Sequence, residues 1–216
     1  VAGRIIPIIL AGALFFTGCI SPAGKDTYSR TVLLMDTFVE VRVVAPREKQ
    51  EIVEKHIDGA MDLARRLEED ASIFNSSSEL NRLNMAGKLE VSSELFALIE
   101  HAKEISFLTG GEFDVTVAPI VKRDGFYRDM PGEVFEKIPD TLDGVGWENI
   151  RLSHDEKTVT LMSGAWIDLS AIAKGYIVDS MSEFLKKRGI KFFLVNAGGE
   201  IYCTEKPGGG SWRIGV

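Results

Sequence analysis

The strongest constraint on the fold lies between Glu48 and Glu69. Ile52, Val53, His56, Ile57, Ala60, Met61, Ala64 and Leu67 give a helix one continuous apolar face, with Glu, Asp, Lys and Arg on the other. A helix with a one-sided apolar stripe is marginal alone in water and must lay that stripe against another layer. The stretch before it supplies a candidate layer. From Thr31 to Ala45 it reads as one strand, in which Val39, Val41 and Val43 alternate with Glu40, Arg42 and Val44, and Pro46 ends it. A second helix is expected over Leu95 to Leu108, capped by Ser92 or Ser93 and stopped at Gly110. A third runs to about Lys187, where Gly189 stops it. A shorter one is expected around Val134 to Ile138.

Strands are expected at VGWENIRL, Thr158 to Met162, Trp166 to Leu169, Phe192 to Val195 and Glu200 to Thr204, with another starting at Trp212. Ser163-Gly164, Asn196 to Gly199 and Lys206 to Gly210 serve as the turns. Strands joined by tight turns and interleaved with amphipathic helices imply an α+β fold. The expectation is a single domain over residues 31–216, with an antiparallel-rich sheet packed with helices.

The first residues read as a targeting segment. Arg4 precedes a short apolar run from Ile5 to Phe16, too short to span a bilayer but suited to a signal peptide. The run closes on Phe16-Thr17-Gly18-Cys19, which resembles a bacterial lipobox. This implies a lipoprotein signal peptide over residues 1–18, lipidation of Cys19 and a tether over residues 19–30. Cys203, the other cysteine, lies in an expected strand and reads as a packed small residue. Neither a disulfide nor a Cys-based metal site follows. His56, His101 and His154 are scattered over two helices and a loop. The formal charge of −7 argues against nucleic-acid binding. An acidic chain that binds an anionic ligand must gather positive charge locally.

IDLSAIAKGYIVD, Ile167 to Asp179, offers such a place. It reads as a strand turning into a helix, with Ser170 as the expected N-cap. Asp168 falls on the corner, and Lys174 and Gly175 within the first turn or two. The free N–H groups and partial positive charge of a helix start, deepened by a lysine, favour an anion. The acid beside them suits a hydroxyl, an amine or a metal. An ordinary capped helix remains the alternative. NAGGE, Asn196 to Glu200, either makes a simple turn or exposes consecutive N–H groups as an anion-binding nest.

DLSAIAKGYIVD, followed by NAGGEIY, resembles the ApbE family, the FAD:protein FMN transferases once called thiamine-biosynthesis lipoproteins. LLMDTFVEV, ASIFNSSSELNRLN and TGGEFDVTVAP add to the resemblance in the family's order. Lys122-Arg123-Asp124-Gly125-Phe126 departs from the family's N-x-W-G-F-like stretch. The resemblance implies cofactor contacts at Met35, Phe74, Glu112, Phe113, Asp114, Asp168 and Lys174, and a main-chain metal ligand at Ala171. Taken on their own residues, Met35 also reads as core and Phe74 as a plug over it. The family's T-S-G and H-x-x-D-P-x-T-G motifs, the latter carrying Mg²⁺ ligands, do not occur, which implies a chain lacking the C-terminal third.

The activity implied is Mg²⁺-dependent transfer of FMN from FAD to a threonine or serine of an acceptor flavoprotein, such as a subunit of a membrane redox complex, with release of AMP. The expected place is the bacterial cell envelope, anchored through Cys19 and facing the periplasm or exterior. The alternatives are a lipoprotein that binds or hydrolyses FAD without a protein acceptor, or a non-catalytic binding lipoprotein.

Overall fold

The valine alternation builds the central strand of the larger sheet. The computed structural model describes residues 24–127 and 130–215. In it β2 (Thr37–Pro46) buries Val39, Val41, Val43 and Ala45. The single strand expected over Thr31 to Ala45 is instead a hairpin. β1 (Lys25–Leu34) pairs antiparallel with β2 in continuous register from Lys25 opposite Pro46 to Leu34 opposite Thr37. Residues 25–30, expected in the tether, thus belong to the sheet. The turn is Met35-Asp36, both with positive φ (53° and 55°). That conformation favours Gly, Asn or Asp, so Asp36 suits the turn but Met35 does not mark it.

β6 (Phe193–Ala197) lies on the other side of β2, and β7 (Glu200–Cys203) completes a four-stranded antiparallel sheet in the order β1-β2-β6-β7. One face is covered by α1 (Gln50–Ala71) and α6 (Ser170–Lys187). These helices approach closely where Gly59 faces the Phe184 ring. A Cβ on Gly59 would lie 2.7 Å from it. Ile57, Met61, Ile177, Met181, Leu185 and Phe193 form the centre of this core, each contributing roughly 1.5–3 kcal/mol by burial.

A second core lies around α2 (Glu79–Ala86) and α3 (Ser93–Leu108). It is flanked by a small sheet in the order β3-β5-β4, made of β3 (Lys88–Glu90), β4 (Ile150–Ser153) and β5 (Thr158–Leu161). Ser92 caps α3, accepting from the Leu95 N–H at 3.1 Å. The short helices α4 (Ala118–Arg123) and α5 (Gly132–Phe135) complete this half. The architecture is the expected α+β domain. Among the described residues no helix is long and apolar enough to cross a membrane. Cys19 lies outside the described residues, as does the signal segment.

Three local expectations fail for identifiable reasons. Trp166 to Leu169 is not a strand, because the buried Asn84 side chain takes the place of a neighbour. Its amide donates to the Ile167 carbonyl at 2.9 Å and accepts from the Ile167 N–H at 2.8 Å. Residues 212–215 form no strand; the Trp212 indole instead donates to the Thr204 carbonyl at 2.7 Å. Cys203 is exposed rather than packed, since it ends a strand on the sheet's edge.

Candidate functional site

The start of α6 is organised by Asp168, not by the expected cap. Ser170 is the first helical residue and makes no side-chain cap. Its N–H donates to Asp168 Oδ1 at 2.8 Å. Asp168 Oδ2 accepts from the Tyr127 hydroxyl at 2.6 Å, and the Asp168 N–H donates to the Val115 carbonyl at 2.8 Å. The carboxylate is therefore held in one orientation by two donors. Tyr127 is buried, and burial followed by the Asp168 charge raises its pKa. It stays a neutral donor.

In front of this corner three distant stretches of chain enclose a cleft of about 180 Å³. The hairpin turn brings Met35 and Asp36, the end of α1 brings Glu68 and Ala71, and the following loop brings Ser72 and Phe74. The first turns of α6 bring Ser170, Ala173, Lys174 and Ile177. Phe74 stands edge-on to Tyr127, ring centres 6.0 Å apart, so the cleft wall is tied to the Asp168 corner. Glu68 Oε1 accepts from the Met35 N–H at 2.6 Å. That bond pins a turn whose methionine occupies a left-handed conformation uncommon for its residue type. Burial raises the Glu68 pKa, as do Asp36 and Glu69, against the lowering effect of the Met35 N–H.

Met35, Phe74 and Lys174 thus line one cleft; Asp168 does not line it and is joined to it through the N–H of Ser170. Glu112, Phe113 and Asp114 do not line it. Glu112 is exposed and Phe113 packs against the second core. Asp114 accepts from the Thr116 N–H (2.7 Å), the Thr116 hydroxyl (2.6 Å) and the Trp147 N–H (2.8 Å). It pins the loop behind the helix start. The glycine turn after β6 does not present an open nest. The Gly198 N–H donates to the Phe38 carbonyl at 3.3 Å, and the Gly199 N–H to Asn196 Oδ1 at 3.0 Å.

Residues 35–216 match the ApbE family. The chain belongs to the ApbE family. It is 27% identical over 218 residues to the FAD:protein FMN transferase of Vibrio cholerae, covering 97% of this chain and 64% of that protein. Two solved structures share its fold. The flavin transferase ApbE from Vibrio cholerae superposes with a TM-score of 0.72 at 24% identity, covering 89% of this chain and 64% of that one. The apo form of Pseudomonas stutzeri flavinyl transferase ApbE gives 0.74 at 21% identity, over 89% of this chain and 66% of that one. The chain spans somewhat under two thirds of the curated relatives it matches (63% to 64% for three of them).

Sequence reasoning missed three residues that build this candidate site: Glu68, which lines the cleft, and Tyr127 and Asn84, which hold the segment leading into α6. Glu68 follows the apolar helix face by one position and looks like surface. Tyr127 is separated by 41 residues from the carboxylate it orients. Asn84 sits inside the SSSELNRLN segment, where only its burial distinguishes it.

Proposed function

We propose that this chain carries the FAD-binding part of an FAD:protein FMN transferase. The observation that supports it most is the convergence of Met35, Phe74 and Lys174 on one cleft at the N-terminal end of α6. A diphosphate laid there meets a helix start and a lysine ammonium, while the thioether and aromatic ring suit a flat ring system. The name of the Vibrio cholerae relative supplies the substrate and acceptor class. In the reaction, an acceptor threonine or serine oxygen bonds to the FMN phosphorus. The bridging P–O bond breaks, AMP leaves with that oxygen, and the hydroxyl proton is released. Asp168, Tyr127 and Ser170 keep the helix start rigid and polar while charge redistributes between the phosphates.

Mg²⁺ is proposed as the metal, with the Ala171 carbonyl as one ligand. By themselves the described residues do not fit a complete Mg²⁺ shell. No group of three or more His, Cys, Asp or Glu converges among them, whereas six oxygens are needed. Lipidation of Cys19, after removal of residues 1–18, would place the protein on the bacterial envelope with an acceptor flavoprotein as partner. Incorporation of labelled palmitate, lost in Cys19→Ala, tests the anchor.

FAD titration by flavin fluorescence, with and without Mg²⁺, tests the site. Saturable quenching that Asp168→Ala and Lys174→Ala each weaken supports it; folded protein that leaves the fluorescence unchanged sinks it. Release of AMP with no flavin on an acceptor peptide would replace the transferase by an FAD hydrolase.

A further inference from the structure

A second cavity, of about 520 Å³, opens at the other end of the α1–α6 pair. Val53 lines it and Glu68 lines the flavin cleft. By the helix rise the two are about 22 Å apart. Its floor is apolar, formed by Val43, Ala45 and Val53 with Ile190 and Phe192 beside them. Its rim carries Lys25, Lys49, Arg188 and Lys191, and no carboxylate lines it. That is notable in a chain with 32 acidic and 25 basic side chains.

None of the four cations forms an ion pair among the described residues. Two are held in place by aromatic rings. Lys25 Nζ lies 5.3 Å from the Phe192 ring centre, and the Arg188 guanidinium 3.3 Å from that of Phe184. His56 also faces the cavity. Its pKa is lowered by burial, then by Arg188 and Lys55, in keeping with a positive surround. Ile52 stands on the lip, 53% exposed.

We propose that this cavity binds the headgroup of an anionic phospholipid at a bilayer surface, with Ile52 entering the interface beside it. A cationic rim without carboxylates matches the phosphate, and the apolar floor matches the glycerol and first methylenes. The position in the chain fits. Lys25 lies six residues after Cys19, a reach of about 20 Å when extended. A lipid on Cys19 therefore holds the cavity's mouth near the membrane. Only the choice of a membrane as the source rests on the proposed anchor.

The test uses an unacylated chain starting at Ile20. Both cores are built from residues 28–202, so every described contact is kept. Co-sedimentation is measured with vesicles of phosphatidylcholine alone and of two parts phosphatidylcholine to one part phosphatidylglycerol. Binding is expected only to the second, and Lys49→Ala with Lys191→Ala should weaken it about thirtyfold, at roughly 1 kcal/mol per cation. Lys88→Ala with Lys137→Ala, exposed lysines outside the cavity, should leave it unchanged. Equal binding to both vesicles or equal loss in both double variants would each overturn the proposal. Because no lipid is attached in this assay, its result is independent of whether Cys19 is acylated.

Discussion

The core beneath the four-stranded sheet is sealed by continuous antiparallel registers, from Lys25 opposite Pro46 to Ala197 opposite Glu200. The core around α2 and α3 relies on polar side chains instead. Asn81 donates to the Ile73 and Asn75 carbonyls, Glu79 accepts from the Ser92 N–H, Asn84 embraces Ile167, and Asp114 holds Thr116 and Trp147. The candidate site sits where the two meet. Its flexible-looking part, the loop ahead of α6, is fixed by the second core's side chains, and its helix is fixed by the first core's packing. Stability and site geometry are therefore expected to separate between the two regions.

The largest expected effect tests the first core. Phe193→Ala removes a fully buried ring and should cost about 3–5 kcal/mol, read as a lower urea midpoint. Because Phe193 lines no part of the cleft, folded variant protein should retain the FAD affinity proposed for the native chain. A large affinity loss in folded Phe193→Ala would break the separation.

Asn84→Ala tests the second core. It strands the buried N–H and C=O of Ile167, each costing roughly 1–3 kcal/mol when left unpaired. Here stability and function should fall together, since the freed segment leads directly into Asp168. FAD affinity unchanged in folded Asn84→Ala would show that the loop holds its shape without the asparagine.

This division also explains what could be read in advance. Periodicity reports regular elements, so α1, α3, α6 and the valine strand were legible from their apolar spacing, and the turns at Ser163-Gly164 and Gly198-Gly199 from their residue types. It does not report a side chain standing in for a strand. The false strand at Trp166 to Leu169 looks extended and apolar because it is both; only its hydrogen-bond partner, Asn84, is not a strand. The hairpin turn at Met35-Asp36 was missed for a related reason. Its left-handed backbone is stabilised by Glu68, 33 residues away, not by a local glycine. At the candidate site, Met35, Phe74 and Lys174 line one cleft, a juxtaposition that no spacing along the chain reports. Tyr127 and Glu68 depend on long-range geometry that no local pattern encodes.

Tyr127→Phe probes the junction more gently. The ring and its contact with Phe74 remain, and only the hydroxyl on Asp168 is lost. A stability loss of about 1.5–3 kcal/mol is expected for a hydrogen bond to a charged group. FAD affinity should fall several-fold less than in Asp168→Ala, because the Ser170 N–H still orients the carboxylate. Equal losses in the two variants would mean that the hydroxyl, not the carboxylate, is what the ligand needs.

The smallest effect concerns Glu68, the residue that ties the first core's helix to the strained turn. Its carboxyl is raised above the ordinary glutamate value mainly by burial. A group raised in the folded state stabilises the fold fully below its unfolded pKa. That contribution is lost as pH rises through the folded pKa. Glu68→Gln keeps an oxygen for the Met35 N–H and removes the titration. Relative to the variant, the native chain should lose stability as pH rises from the ordinary glutamate range through the raised value, and then level off. The difference between the two urea midpoints, followed across pH, isolates this group because all other carboxylates are common to both. Removing a negative charge from the cleft wall should also tighten FAD binding modestly at neutral pH, since the ligand is itself an anion. Parallel midpoint curves would show that Glu68 titrates alike in both states, and its bond to Met35 would then act without any charge cost to the fold.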